Sequence, residues 1–306
     1  MTLHEDKELF MDCISNTANY LGYYDESIIE KDYFVTLFLN HLLQHQSNVI
    51  FRGGTALSKC FKIVSRFSED IDLSLDVSGE KPTQGQLRRW KQSILDTVSE
   101  LGFEVMNLDK TRSRRDFNLY EVKYNTCYPI TSTNNTILVE TSVLTKVFPT
   151  NHMPISYLIY DWLESVKALD VIDKYDLTPF NLSVQAIERT FIDKVFALAD
   201  YYIDKRVSKH SRHIYDLYKM YPNINFDSGF LDLVKEVRLV RSKSDKCFSA
   251  KDGVNPQDVL KIIVNESIYK SDYENTTSNL LFEDVSYSTA ISVLEKIISD
   301  GFFSFE

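Results

Sequence analysis

From Asp70 to Val77 the chain alternates polar and aliphatic residues at every step, the period-2 pattern of a strand with one face in an apolar core. Ile71, Leu73, Leu75 and Val77 fall on that face, and Asp70, Asp72 and Asp76 fall on the other. Carboxylates that neighbour one another on a strand face repel unless water or a cation stands between them. This is the sharpest strand in the sequence, and it sets the first half of the chain as an α/β or α+β unit.

The surrounding pattern extends that reading. A helix is expected from about Leu3 to Leu21, ending at Gly22, and a second from the capping box Ser27-Ile28-Ile29-Glu30 to about Gln44. Asn48–Arg52 is a short apolar strand that halts at Gly53-Gly54, before a helix over Thr55–Val64. A helix over Gln86–Leu101, closed by Gly102, leads to strands at Phe103–Leu108, Asn118–Asn125 and Thr136–Leu144. From Pro154 onward the spacing predicts helices: Pro154–Leu169, Ser183–Ile203, Ser211–Met220, Phe230–Val240, Pro256–Tyr269 and Ser288–Ser299. The expectation is an α+β chain with a mixed-sheet domain over residues 1–150 and a helical domain over 151–306.

Composition supports this division. Nine Gly and seven Pro against 18 Tyr and 19 Phe leave few tight turns and many bulky side chains to bury, which favours long helices and excludes disorder or collagen. The longest apolar run, Tyr33–Leu43, is interrupted by Thr36, Asn40 and His41 and falls short of the roughly 20 residues of a membrane span. The first residues lack a secretory pattern, so a cytoplasmic location without membrane attachment is expected. Cys13, Cys60, Cys127 and Cys247 never form a C-x-x-C pair, which reads as reduced thiols rather than a zinc site or disulfide framework. The net charge of -10 disfavours nonspecific coating of nucleic acid. Basic clusters nevertheless occur at Arg88–Lys91, Lys110–Arg115 and Lys205–His213.

Three features carry chemistry. Gly53-Gly54-Thr55 at a strand-to-helix turn offers backbone N–H groups with no Cβ to block a phosphate, although a glycine pair is also simply a turn. Asp70 and Asp72 are spaced to share divalent cations, and the alternative is a solvated polar strand face. Glu140 interrupts the apolar strand 136–144, where a lone buried charge costs several kcal/mol unless paired or metal-bound. Beside the Asp pair it completes a three-carboxylate metal site; otherwise it partners a Lys or Arg.

The string Phe51-Arg52-Gly53-Gly54-Thr55-Ala56-Leu57-Ser58, followed by Arg66-Phe67-Ser68-Glu69-Asp70-Ile71-Asp72-Leu73, resembles the signature of the AbiEii/AbiGii-type toxin nucleotidyltransferases, members of the DNA polymerase beta-like nucleotidyltransferase superfamily. Ile29-Glu30-Lys31-Asp32-Tyr33 resembles the family's first helix, and Glu188–Lys194 and Arg212–Leu217 resemble two later motifs. The resemblance runs from about Ile28 to Met220. It implies a nucleotidyltransferase-like mixed sheet with flanking helices, and a helical lysine and aspartate, Lys194 and Asp216, that face the nucleotide. Independently, Ile187, Phe191, Lys194 and Leu198 follow helical spacing, which sets Lys194 inside an apolar stripe where it needs an anion: phosphate or the carboxylates. Asp216 lies off the stripe of Ile214, Leu217, Tyr218 and Tyr221, so its role rests on the resemblance.

The expected activity is attack of a hydroxyl on the α-phosphate of an NTP, with two Mg²⁺ ions (or Mn²⁺) at Asp70, Asp72 and Glu140. Gly53, Gly54, Thr55 and Ser58 hold the outer phosphates, and Lys194 offsets charge on the departing pyrophosphate. The resemblance implies a toxin that modifies a nucleic acid, commonly the acceptor end of tRNA, and a cognate antitoxin. Each basic cluster taken singly reads as a solvated helix face, and Lys205–His213, which adjoins the later motifs, is the one expected to contact an RNA backbone. Two rival readings stay open. One is a two-metal nuclease or a D-x-D glycosyltransferase, against which the glycine turn argues; the other is a noncatalytic nucleotide- or protein-binding module.

Overall fold

The computed structural model describes all residues except Tyr24, Phe67, Glu69, Ser78–Glu80, Pro129–Thr133, Leu144–Lys146 and Glu306. Leu144, the expected last residue of the Glu140 strand, and two positions of the Arg66–Leu73 motif, Phe67 and Glu69, therefore lie outside the described residues. The chain is mixed α and β, as the patterning implied, but its one sheet has seven strands where the patterning offered five. It forms two compact units that interleave along the sequence: Met1–Thr55 with Glu69–Val143 and Asn151–Val184, and Ala56–Ser68 with Leu144–Thr150 and Gln185–Glu306.

The first unit holds the sheet. Its strands are β1 (Val49–Arg52), β2 (Asp70–Leu75), β3 (Glu104–Val105), β4 (Phe117–Lys123), β5 (Thr136–Ser142), β6 (Thr150–Ile155) and β7 (Phe180–Gln185), in the spatial order β3-β4-β5-β2-β1-β7-β6. β2 runs antiparallel to β1 and parallel to β5, and β4 runs antiparallel to β5. On β4 the even residues Tyr120 and Val122 are buried, and Tyr124 just beyond the strand stacks on Phe34 with ring centroids 4.2 Å apart. Phe34 belongs to α2 (Glu26–His45), which with α1 (Lys7–Leu21) supplies the aromatic packing on this face. Ile71, Leu73, Ile137 and Val139 are likewise fully buried, so the opposite face of the sheet carries the acidic residues.

Most expected elements form, and several differ in kind or in their bounds; the expected strand Phe103–Leu108 is reduced to Glu104–Val105. Pro154 lies in β6 rather than at a helix start, and Ser183 lies in β7, with its helix beginning at Ile187. β6 is the edge strand of the sheet, where a missing N–H is tolerated. The cap of α2 is Asp25, which accepts from the Ser27 N–H at 2.9 Å, while the Ser27 hydroxyl donates to Asp25. Glu30 is buried and accepts instead from the Thr126 hydroxyl at 2.5 Å and the Cys127 N–H at 2.7 Å. The helix after the glycine turn, α3 (Gly53–Lys59), is shorter than expected, whereas α4 (Gln84–Glu100) starts from a Thr83–Gln86 capping box.

The second unit is a helical bundle around a single apolar core in which Phe191, Val195, Leu217, Val234 and Leu294 are fully buried. Its principal helices are α7 (Ile187–Ile203), α8 (Arg212–Met220), α9 (Ser228–Arg241), α10 (Pro256–Asn265) and α11 (Tyr287–Asp300), after α5 (Leu158–Ser165) and α6 (Leu169–Lys174) of the first unit. The four cysteines are free thiols, three of them buried. No helix among the described residues is long and apolar enough to cross a membrane.

Candidate active site

Strand register brings the three acidic residues into one patch. Arg52, Asp72 and Glu140 are direct partners across β1, β2 and β5, and Asp70 pairs with Leu138 one step along the same face. Partners across a ladder point to the same side, so Asp70, Asp72 and Glu140 share a face by construction. Glu140 lies within hydrogen-bond reach of Asp72 and feels the charges of both aspartates. Burial, followed by Asp72 and Asp70, pushes its carboxyl up to about 7, against the opposing pull of Arg52. Glu140 thus has a raised demand for a proton or cation, as expected of a charge placed in an apolar strand.

The glycine turn is built against this patch. Gly53 has φ +78°, a left-handed conformation that L side chains rarely adopt, and a Cβ at this position would overlap the Asp72 carboxyl. Thr55 ties the start of α3 to β2 by donating its hydroxyl to the Asp70 carbonyl. That hydrogen is therefore committed to the strand and not open to a phosphate. Gly54 lies between these two residues, and Ser58 follows one turn later in α3, half-buried.

The donors fit a divalent ion. They are hard carboxylate oxygens, mutually repelling, and one of them has a raised proton affinity. Among the described residues no three His, Cys, Asp or Glu side chains are already arranged as a cage. Mg²⁺ takes one or two carboxylates and completes its shell with water and phosphate, so a partial donor set suits it.

Lys194 and Asp216 come together in the helical unit. The Lys194 ammonium donates to Asp216 Oδ2 at 2.7 Å, and Arg66 grips the same carboxylate through Nε at 2.6 Å and Nη2 at 2.8 Å. All three residues are buried. The expectation that Asp216 lies off the buried stripe is corrected by this arrangement: it is completely buried because two cations satisfy it. Burial alone raises its carboxyl, but Arg66 and Lys194 outweigh that and hold it far below the usual carboxylate range. Burial drives the Lys194 ammonium below its usual value, against the pull of Asp216. Lys194 does face an anion, supplied here by Asp216, and also approaches His213 Nδ1 at 3.4 Å. The sequence reading missed Arg66; the one available signal was its place four residues before Asp70 in the motif.

The basic cluster at Lys205–His213 is partly spent internally. Arg206 pairs with Asp204 and covers the Tyr201 ring at 5.3 Å, while His210 stacks on the same ring with centroids 3.5 Å apart.

A mixed sheet carrying a carboxylate row beside a bare-backbone turn defines the nucleotidyltransferase fold class. The model of the family described as nucleotidyl transferase AbiEii toxin, type IV toxin-antitoxin system, matches residues 37–293, so the chain belongs to this family and is a nucleotidyltransferase. Among solved structures, it is similar to MenT4, a nucleotidyltransferase toxin from Mycobacterium tuberculosis H37Rv, at 17% identity and a TM-score of 0.53, covering 96% of this chain and 90% of the other. A search of curated proteins returns no match. The family's activity takes an NTP as substrate, and its type IV toxin-antitoxin system supplies a cognate antitoxin.

Proposed function

We propose that the chain transfers an NMP from an NTP to a hydroxyl of RNA, such as a tRNA 3′ end, in a Mg²⁺-dependent reaction at Asp70, Asp72 and Glu140. The observation that carries this reading is the Asp72–Glu140 pairing beside Gly53: two carboxylates held within hydrogen-bond reach, against a turn with no room for a side chain.

In this reading the acceptor oxygen attacks the α-phosphorus and forms the new P–O bond as the bond to the bridging oxygen breaks. Pyrophosphate leaves with the electron pair, and the hydroxyl proton passes to solvent. Bound at Asp70, Asp72 and Glu140, divalent cations would supply Lewis acidity toward the attacking and leaving oxygens. Gly53, Gly54 and Thr55 offer backbone N–H groups to the outer phosphates, and Ser58 offers a hydroxyl. Lys194 supplies positive charge for the departing pyrophosphate, and Asp216, with Arg66, acts through it as a positioning residue.

The test is incubation of the purified protein with Mg²⁺, total RNA and each α-labelled NTP in turn, with the labelled species separated on a gel. Label joined to RNA and abolished by Asp70→Ala or Asp72→Ala is the expected result. RNA shortened without NTP would point to a nuclease, and NTP binding without transfer to any RNA would point to a noncatalytic module.

A further inference from the structure

The carboxylate face does not end at Glu140. Leu119 of β4 is the direct partner of Glu140, and Phe117, two residues along the same strand, points to the same side. At strand spacings Phe117 lies roughly 8 Å from Glu140, about one nucleotide's length. Phe117 is 43% exposed although it stands on a sheet strand. Immediately before it, the β3–β4 connection carries Lys110, Arg112, Arg114 and Arg115, all exposed, against Asp109 and Asp116. Among the described residues Lys110, Arg114 and Arg115 enter no ion pair.

This loop is held in shape. Buried Asn118 accepts from the Arg112 N–H at 2.9 Å and donates to the Arg112 carbonyl at 3.0 Å. Lys91 donates to the Thr111 hydroxyl at 2.9 Å, and the Asp116 carbonyl accepts from the Val143 N–H at 2.9 Å. A protein of net charge -10 thus keeps four exposed cations and an aromatic ring on a braced edge beside its acidic patch.

Direction adds the second argument. β1 runs antiparallel to β2, with Arg52 opposite Asp72, so the Gly53-Gly54 turn lies at the Asp70 end of the carboxylate row, where Thr55 bonds the Asp70 carbonyl. Phe117 pairs with Ser142, which neighbours Ser74, at the other end of the row. In-line transfer needs the attacking hydroxyl on the side of the α-phosphate opposite the pyrophosphate. With the outer phosphates at the glycine turn, the acceptor enters from the Phe117 end.

We propose that Phe117 and the Lys110–Arg115 loop dock the single-stranded 3′ end of the RNA acceptor: the ring stacks on a terminal base, and Arg114 and Arg115 hold backbone phosphates. This rests on the transfer reading above for its direction, but the surface is tested by binding alone. Aromatic stacking on single-stranded RNA is tolerant of sequence, and arginine contacts to phosphate make binding salt-dependent.

The experiment is fluorescence anisotropy of a 5′-labelled single-stranded RNA 12-mer titrated with wild-type protein, Phe117→Ala, Phe117→Trp and Arg114→Ala/Arg115→Ala, with far-UV circular dichroism confirming the fold of each. Phe117→Ala is expected to weaken binding roughly ten-fold and Phe117→Trp to restore it. The double arginine variant should reduce the log–log salt slope by about 1.4. Binding within two-fold of wild type in the alanine variants, or no RNA binding by the wild type, overturns the proposal. So does unchanged RNA binding with loss of antitoxin binding, which would make the loop a protein interface. Separately, RNA binding by the wild type without label transfer would sink the transfer reading while leaving the dock standing. Transfer by Phe117→Ala with an unchanged KM for RNA would do the reverse.

Discussion

Gly53 and Asp72 are packed so closely that a methyl group on the Gly53 Cα would lie 2.7 Å from Asp72 Cγ and overlap its Oδ2 oxygen. The missing side chain is therefore a condition for where the carboxylate stands. The same backbone is left-handed, which adds a second constraint of about 1–2 kcal/mol for any L side chain.

Gly53→Ala separates these two effects when set beside Gly22→Ala. Gly22 has φ +73° with open space around it, so alanine there brings backbone strain alone. Gly22→Ala should lose about 1–2 kcal/mol of stability in urea titration, and Gly53→Ala more than that, because its Cβ also overlaps Asp72. Only Gly53→Ala should also lose about 100-fold or more in nucleotidyl transfer, because the Asp72 carboxylate has to move. Equal activity in the two variants would mean that the placement of Asp72 does not matter.

Removing charge from the carboxylate row should uncouple activity from stability. Asp72→Asn and Glu140→Gln are expected to cut label transfer by about 100-fold or more. Both should raise the melting temperature of the protein in EDTA, since each relieves repulsion in the Asp70–Asp72–Glu140 patch. A lower melting temperature in EDTA for both would show that these carboxylates are structural.

The same residue predicts a pH dependence. Glu140 is raised in the folded state, from 4.5 to about 7, so the folded form holds the proton more tightly than the unfolded chain. That contribution to stability is complete below about 4.5 and is lost as pH rises through about 7. In EDTA, wild-type stability should fall across this window relative to Glu140→Gln, measured by thermal melts at half-unit intervals. Parallel curves for the two proteins would remove Glu140 as the titrating group.

The acidic residues were legible because strand periodicity is local: Asp70, Asp72 and Glu140 declare their faces within a few residues of sequence. That Asp72 and Glu140 are partners depends on register between β2 and β5, which no local pattern contains. β6 escaped notice because Thr150-Asn151-His152-Met153-Pro154-Ile155 has few strand formers and a proline, which only an edge position accommodates. Asp216 was misjudged for a related reason. Its partner Arg66 lies 150 residues away, and a helical wheel registers hydrophobicity but not a distant cation that makes a buried charge tolerable.

That buried network leads to the last prediction. Asp216 is held between Arg66 and Lys194 with no exposure of its own, so removing Arg66 strips its hydrogen bonds to both oxygens of a buried carboxylate and leaves Lys194 alone to hold it through Oδ2. Arg66→Ala should destabilise the protein by about 3–5 kcal/mol. Replacing all three residues with apolar ones of similar volume, Arg66→Met, Lys194→Met and Asp216→Leu, removes every charge together and should be near neutral or stabilising, yet inactive. The acid limb carries the opposite sign to that of Glu140. Asp216 is depressed in the folded state, so its contribution is present above its ordinary value of 3.8 and is lost as pH falls toward its folded value. The triple variant should therefore lose less stability than wild type between about pH 4 and 2. Far-UV circular dichroism is the appropriate readout, because both tryptophans, Trp90 and Trp162, belong to the sheet unit and fluorescence would miss the helical one. Should the triple variant unfold as readily as Arg66→Ala, the network would be holding the helices by packing shape rather than by cancelling buried charge.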